Sequence, residues 1–414
     1  MNNETNKLIP ELRFLEFVKD GEWKIETLGN LSKEIVEKTK GRKFKLMSIT
    51  SGLGLISQLE KFGREIAGES YKNYYVIHKG DFAYNKSSTK LFPEGEIALY
   101  DDEVVGAVPN SIFTCFRFDI NRIDPKFAKY PFINNLHGNW LKRFIAVGAR
   151  ANGSLQVNNK DLFSVPFAYP SLQEQRKIAS CLSSLDELIN SCTHKLEILK
   201  TYKKGLIQNL FPHGNEKVPN LRFKEFEKDQ EWEYLNGNEL FEPISDKNHN
   251  SDLPILAITQ EQGATPRNLI NYNVVVTEKS IESYKVVEVG DFIISLRSFQ
   301  GGIEYSNFKG ICSPAYIILR KKKAISVNQF YKHYFKTDLY IRNLNKNLEG
   351  LRDGKMVSYT QFSEIQLPNP NPKEQQKIAD TLTSLDDLIR EKTNKIEELK
   401  LHKKALMQGL FPKI

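Results

Sequence analysis

The sequence predicts an α+β protein. Two related mixed α/β modules are separated by two long repeated helices that form an antiparallel coiled coil, with internal pseudo-twofold symmetry. Two observations carry this reading, a long-period duplication and a heptad stripe repeated in each copy. Pro10-Glu11-Leu12-Arg13-Phe14, with Phe17 and Trp23, returns as Pro219-Asn220-Leu221-Arg222-Phe223, with Phe226 and Trp232, a displacement of 219 − 10 = 209. Glu174-Gln175-Arg176-Lys177-Ile178-Ala179 returns as Glu374-Gln375-Gln376-Lys377-Ile378-Ala379, displaced by 374 − 174 = 200. Both copies close on Leu-Phe-Pro, at Leu210-Phe211-Pro212 and Leu410-Phe411-Pro412. A period this long is a duplicated domain with its linker, not a solenoid repeat. The domains expected are residues 1–168 and 213–369 for the modules, 169–212 and 370–414 for the helices.

Within the first module, Tyr74-Tyr75-Val76-Ile77 leads through Gly80-Asp81 to Phe82-Ala83-Tyr84, which reads as strand, turn and strand, a hairpin. Ile112 to Phe116 supplies a buried strand, and Phe127 to Leu141 has mostly helical periodicity. The second module repeats the plan. Tyr284 to Val287 leads through Gly290-Asp291 to Phe292-Ile293-Ile294, Tyr316 to Leu319 is the buried strand, and Gln329 to Leu344 is helical. Pro166 and Pro368 mark the exits toward the long helices.

The first long helix opens at Ser171, with Ser171 as cap and Glu174 reaching back to it. The second opens at Asn371-Pro372, an amide cap followed by proline at the first helical position. Ile178, Leu185, Cys192, Leu199 and Leu206 then recur every seven residues, with Leu182, Ile189 and Leu196 beside them. Ile378, Leu385, Leu399 and Leu406 repeat the stripe, flanked by Leu382, Ile389 and Ile396; only Lys392 interrupts it. Strict seven-residue spacing over four heptads signals a coiled coil. An exposed edge, or a carboxylate on the opposite helix, would accommodate Lys392. Basic pairs, Lys203-Lys204 and Lys403-Lys404, precede the Phe-Pro that stops each helix.

Composition narrows the function. A formal charge of +8 and a pI near 9.0 favour a polyanionic partner. The four cysteines have no C-x-x-C spacing, which argues against zinc and against a disulfide scaffold. No metal site is expected. The polar N-terminus and the lack of a spanning apolar stretch point to the cytoplasm and to no membrane partner. Gly63 to Gly68 has Walker-A glycine spacing, but Glu69 stands where lysine must meet phosphate, so it reads as a loop. Gly52-Leu53-Gly54 lacks the third glycine of a dinucleotide fingerprint. Asn369-Pro370-Asn371-Pro372 lacks the stacking aromatic of an adenine methyltransferase loop. No catalytic constellation is expected in this chain.

Binding chemistry is better represented. Lys86, Ser87, Ser88 and Lys90 follow the first Gly-Asp turn; Arg297, Ser298 and Gln300 follow the second. Arg150 and Asn152 lie in a glycine-flanked loop, and Arg352 and Lys355 lie in or beside the matching one. These side-chain types read base edges and hold phosphates. Ile178, Leu185, Leu199, Leu206, Ile378, Leu385, Leu399 and Leu406 are the expected coiled-coil and partner positions.

Taken in order, the Gly-Asp-Phe turns, the Glu-Gln helix openings, the Leu-Phe-Pro ends and the module–helix–module–helix arrangement resemble the specificity subunit of type I restriction–modification systems. The resemblance spans essentially the whole chain. It implies that the modules are target recognition domains and the helices a ruler. It implies a double-stranded DNA site in two unlike halves, two modification subunits and two ATP-driven restriction subunits. S-adenosylmethionine, ATP and magnesium would belong to those partners, with no cofactor in this chain. The alternative reading is a coiled-coil interaction scaffold whose charge is incidental. An RNA-binding module is a third, without the aromatic or GXXG signatures.

Overall fold

The structure is a computed structural model describing residues 8–145, 155–214, 216–250, 252–270, 281–296, 298–322, 326–346 and 357–413. The chain falls into two compact units, Met1–Cys192 with Lys395–Ile414, and Thr193–Asn394. Each unit takes one module and part of each long helix.

In the first unit, Lys24–Thr27 pairs antiparallel with Pro166–Tyr169. A four-stranded sheet has the order Ser32–Ile35, Phe113–Phe118, Asp81–Asn85, Glu96–Leu99, and a second has Gly54–Ser57, Lys45–Thr50, Gly106–Val108, Tyr75–Ile77. Strand Asp81–Asn85 is buried on both faces. Phe82 and Tyr84 point into the main core with Trp23, Phe116 and Phe132, while Ala83 points into a smaller one with Met47, Ile77 and Cys115. Alternation along a strand assigns the two sets to opposite faces.

The second unit keeps the plan. Glu233–Asn236 pairs with Gln366–Asn369, and the four-stranded sheet runs Phe241–Ile244, Ile317–Lys321, Phe292–Ile294, Glu304–Tyr305. Hairpin Leu256–Thr259 with Gly263–Pro266 and pair Lys285–Val287 with Gly310–Cys312 meet through a parallel bridge, Ile255 to Ile311. The first unit has the parallel pairing of Lys45 with Gly106 there.

Two sequence expectations are corrected and a third, the helical stretches, is borne out with a break in each. The Gly-Asp turns close no hairpin: Tyr75–Ile77 pairs in one sheet and Asp81–Asn85 in the other, so the turn changes sheets. Its aspartate explains why. Asp81 accepts the His78 amide at 2.7 Å and grips Arg117 on the adjacent strand at 2.5 and 2.9 Å. Asp291 repeats this with the Glu288 amide at 2.8 Å and Arg320 at 2.8 and 2.7 Å. Next, Phe127 to Leu141 is two helices, Pro125–Ile133 and Leu136–Leu141, broken where Asn135 turns left-handed at φ 58°. Gln329 to Leu344 likewise divides into Asn328–Tyr334 and Asp338–Lys346, the Thr337 hydroxyl capping the second by accepting from the Tyr340 amide.

The last correction concerns the caps. The Glu174 amide donates to Ser171 Oγ at 3.4 Å, but the Glu174 carboxylate does not reach back. Arg13 takes both its oxygens, at 2.8 and 2.7 Å, because a guanidinium offers two charge-assisted bonds where the cap amide offers one. Arg222 and Glu374 repeat the clamp at 2.8 and 2.8 Å.

The long helices, Leu172–Leu210 and Pro372–Leu410, have 39 residues each, about 58 Å of rise apiece. In the first unit Ile178 and Leu182 pack with Leu406, Met407 and Leu410, and Lys403 pairs with Asp186, so the segments run antiparallel. In the second, Ile378 and Leu382 pack with Leu206, Ile207 and Leu210, and Lys203 pairs with Asp386. Leu185, Leu199, Leu385, Leu399 and Lys392 are half-buried. The Leu-Phe-Pro ends anchor in the modules: Phe411 lies 6.0 Å from Trp23 and 5.4 Å from Phe127, Phe211 lies 6.5 Å from Trp232 and 5.4 Å from Phe330. The buried glutamines complete the docking, Gln175 Oε1 accepting the Asp124 amide and Gln375 Oε1 the Val327 amide, both at 2.8 Å.

Candidate nucleic-acid interface

In each module a loop leaves the central strand of the four-stranded sheet and meets the tip of a neighbouring hairpin. In the first, the loop between Asn85 and Glu96 packs on the Thr50–Gly54 tip, where Ser51 Oγ lies 3.1 Å from Thr89 Oγ1 and Gly52 faces Leu91. Gly52 and Gly54 have φ of 81° and 78°, which is why glycines stand there. In the second, the loop after Ile294 packs on the Thr259–Gly263 tip so closely that a Cβ on Gly301 would sit 2.5 Å from the Gln260 side chain. Two modules thus present a loop and a tip at the same place, built from unlike residues.

Lys90 is exposed at the crest of the first loop beside Leu91. Ser87 is half-buried, its amide on Asn85 Oδ1 at 3.2 Å. Lys86 is half-buried and its backbone is committed, donating to Ile112 O at 2.9 Å and accepting from Leu155 N at 2.8 Å. Burial lowers its ammonium pKa from the ordinary value, with the Glu34 charge opposing. In the second loop Gln300 is exposed. Ser298 is buried, its hydroxyl accepting the Ser295 amide at 2.8 Å, so its side chain shapes the turn. Arg150, Asn152, Arg297, Arg352 and Lys355 lie outside the described residues.

Two carboxylates that the sequence did not single out sit beneath these loops. Glu96 is buried on the strand leaving the first loop, and its Oε2 has no hydrogen-bond partner among the described residues. Burial pushes its carboxyl up to about 7, against the Gly52 amide, the Lys61 charge and the Ser51 hydroxyl. Glu304 occupies the same face of the corresponding strand; Lys336 holds its Oε1 at 2.6 Å and the Gly301 carbonyl at 3.0 Å. Burial raises the Glu304 carboxyl as well. His137 ties down the first loop's far end, its Nε2 on the Gly95 carbonyl at 2.8 Å; burial lowers that imidazole to about 4, so the neutral ring donates. In sequence, an isolated glutamate in a strand carries no mark of burial, which is why these escaped notice.

The arrangement offers hydrogen-bond donors and acceptors on a fixed scaffold. Among the described residues no group of three or more His, Cys, Asp or Glu is placed to hold a metal ion. No described helix is long and apolar enough to cross a membrane.

Residues 22–201 and 229–401 match the family described as the type I restriction modification DNA specificity domain. The chain is 27% identical over 328 residues to the type I restriction enzyme MjaX specificity subunit of Methanocaldococcus jannaschii, covering 77% of this chain and 74% of that one. It is 25% identical over 282 residues to the MjaVIII specificity subunit of the same organism, covering 65% and 66%. In fold it is similar to the S subunit of a type I restriction–modification system from M. genitalium, with a TM-score of 0.57 and 15% identity over 98% of this chain and 99% of that one.

Proposed function

The chain belongs to the type I restriction–modification DNA specificity family, and from that premise we propose that it reads a double-stranded DNA site in two unlike halves, one per module. As a specificity subunit it is not itself a catalyst. It directs adenine methylation or restriction by two modification and two restriction subunits, which supply S-adenosylmethionine, ATP and magnesium, in the cytoplasm. One observation supports two readers above all: the modules share strand order, clamps and helix anchors, yet differ in the loops set at one corresponding place.

The physical reasoning is one of division of labour. Phosphate contacts position a protein and base-edge contacts specify sequence. Exposed Lys90 and Gln300 are suited to these contacts, with Arg150, Asn152, Arg297, Arg352 and Lys355 proposed beside them. Half-buried Lys86 and Ser87 are proposed with them, while the buried Ser298 hydroxyl holds loop shape. The heptad helices act as a ruler, since half-sites one helical turn apart are about 34 Å apart and helices of this length are commensurate with that distance. Repeated helix surfaces suit two copies of one modification subunit.

Mapping methylated adenines in cells carrying this chain and its partners tests the proposal. The expected result is a two-part sequence with an unspecified spacer, and salt-dependent binding of the complex to a duplex containing it. Salt-independent association with no preference for duplex would favour the protein scaffold instead.

A further inference from the structure

One dense run of positive charge lies in none of the reading loops. In Glu37-Lys38-Thr39-Lys40-Gly41-Arg42-Lys43-Phe44-Lys45, five of nine residues are basic and one is acidic. The segment forms an arch before strand Lys45–Thr50, at the opposite end of that strand from the Thr50–Gly54 tip.

The arch is rigid. Lys40 and Gly41 both have positive φ, 49° and 85°, and the Arg42 amide closes the turn on Thr39 O at 2.9 Å. A lysine in the left-handed region is unusual and is held there by what surrounds it. Thr39, fully buried, donates its hydroxyl to Tyr71 O at 2.5 Å, and the Lys40 amide donates to Lys72 O at 3.1 Å. Tyr71 Oη accepts the Phe44 amide at 2.8 Å and donates to Arg42 O at 2.6 Å. Arg42 is spent on Glu37, at 2.6 Å, and lies over the Phe44 ring. Lys45 is spent on Asp102, at 2.6 Å.

Lys38, Lys40, Lys43 and Lys72 are left. All four are exposed, and none forms an ion pair with a described residue. Four exposed ammonium groups without an ion-pair partner among the described residues therefore stand on a backbone fixed in advance. The second module has the same connection, since the Val286 amide donates to Asp246 O at 2.7 Å as Val76 does to Glu37 O at 3.0 Å. Yet that stretch reads Asp246-Lys247-Asn248-His249-Asn250-Ser251-Asp252, with one lysine and two aspartates.

We propose that the 38–43 arch with Lys72 is a phosphodiester-binding site of the first module, so that backbone affinity is unequal between the two readers. The inference rests on the DNA-reading function proposed above and adds to it a site away from the base-reading loops. One strand length, six residues at about 3.3 Å each or about 20 Å in all, separates arch and hairpin tip, so the phosphates held are not those of the bases read.

The test uses the full chain with its partner subunits, in a variant carrying Lys38→Gln, Lys40→Asn, Lys43→Gln and Lys72→Gln. Asparagine is chosen at position 40 because it tolerates the left-handed backbone. Affinity is measured against salt for a duplex with the mapped site and for an unrelated duplex of equal length. The expected result is a slope of log affinity against log salt shallower by about three to four, at about 0.9 per phosphate contact. Both duplexes should lose affinity by the same factor, with the methylated sequence unchanged. An unchanged slope in a variant with the wild-type unfolding midpoint overturns the arch while leaving the two-reader proposal standing. Loss of partner assembly with the slope intact overturns it too, making the arch a protein-docking site. If the wild-type complex itself shows no salt-dependent DNA binding, the underlying function fails instead.

Discussion

Replacing Arg222 with Ala removes one half of the clamp that ties the second module's leading segment to the start of its helix. Arg222 Nε and Nη2 each lie 2.8 Å from a Glu374 oxygen, and the same guanidinium holds the Asp229 and Gln230 carbonyls at 3.0 and 3.1 Å. The side chains are 7% and 1% exposed, so solvent screens the pair little. Truncating the arginine strands a buried carboxylate, which costs about 3–5 kcal/mol. For a unit of about 200 residues, each kcal/mol moves the unfolding midpoint by about 2–4 °C, giving a fall on the order of 10 °C. Thermal unfolding followed by circular dichroism, with urea titration alongside, reads this directly. The double variant Arg222→Met with Glu374→Leu should recover most of the loss, because an apolar pair of similar volume carries no desolvation penalty. A single variant within about 1 kcal/mol of wild type, or a double variant no better than the single, would refute the reasoning.

Three further outcomes concern the first module's loop, one of them shared with a buried histidine of the second module. Glu96 has a carboxyl raised from 4.5 to about 7, so the folded state binds the extra proton and stability falls as pH climbs through that window. Glu96→Gln should flatten this slope and stabilise by about 3 kcal/mol at pH 8, measured by urea unfolding at pH 5 and pH 8. His137 and His333 are lowered from 6.5 to about 4 and about 3, so the unfolded chain takes protons first and stability is lost as pH falls below 6.5. His137→Gln should remove its share of that acid sensitivity while weakening the tie to Gly95. Gly95→Ala places a left-handed Cβ 2.5 Å from Asn85 O and 2.7 Å from the Tyr84 ring, and should cost about 2–3 kcal/mol with loss of one half-site only.

Duplication made much of this architecture legible. Matching residues at a fixed displacement mark matching places, and the heptad stripe fixes which face of each helix is buried. The motifs that carried the resemblance prove to be joints. Glu174 and Glu374 grip arginines, Gln175 and Gln375 satisfy backbone groups, and Asp81 and Asp291 pin a turn between sheets. Their roles could not be read in advance because each partner lies far along the chain: Arg13 is 161 residues from Glu174. The supposed hairpin failed for a related reason, since a turn's residues do not say which sheet its second strand joins. Ser298 looked like a surface donor because hydroxyls in loops usually are; only its burial and its bond from the Ser295 amide show that it shapes the turn. The arch at 38–43 was missed because a run of lysines reads as solvated surface until the backbone shows it is held in one shape.

The central claim is that two readers act independently on one site. The most direct measurement exchanges residues 219–368 for the equivalent module of a relative and maps methylated adenines in cells carrying the chimaera and its partners. The account predicts that one half of the methylated sequence changes while the half read by residues 20–168, and the spacer between them, stay as they were. A map in which both halves change, or in which the site is a single continuous sequence, would contradict it.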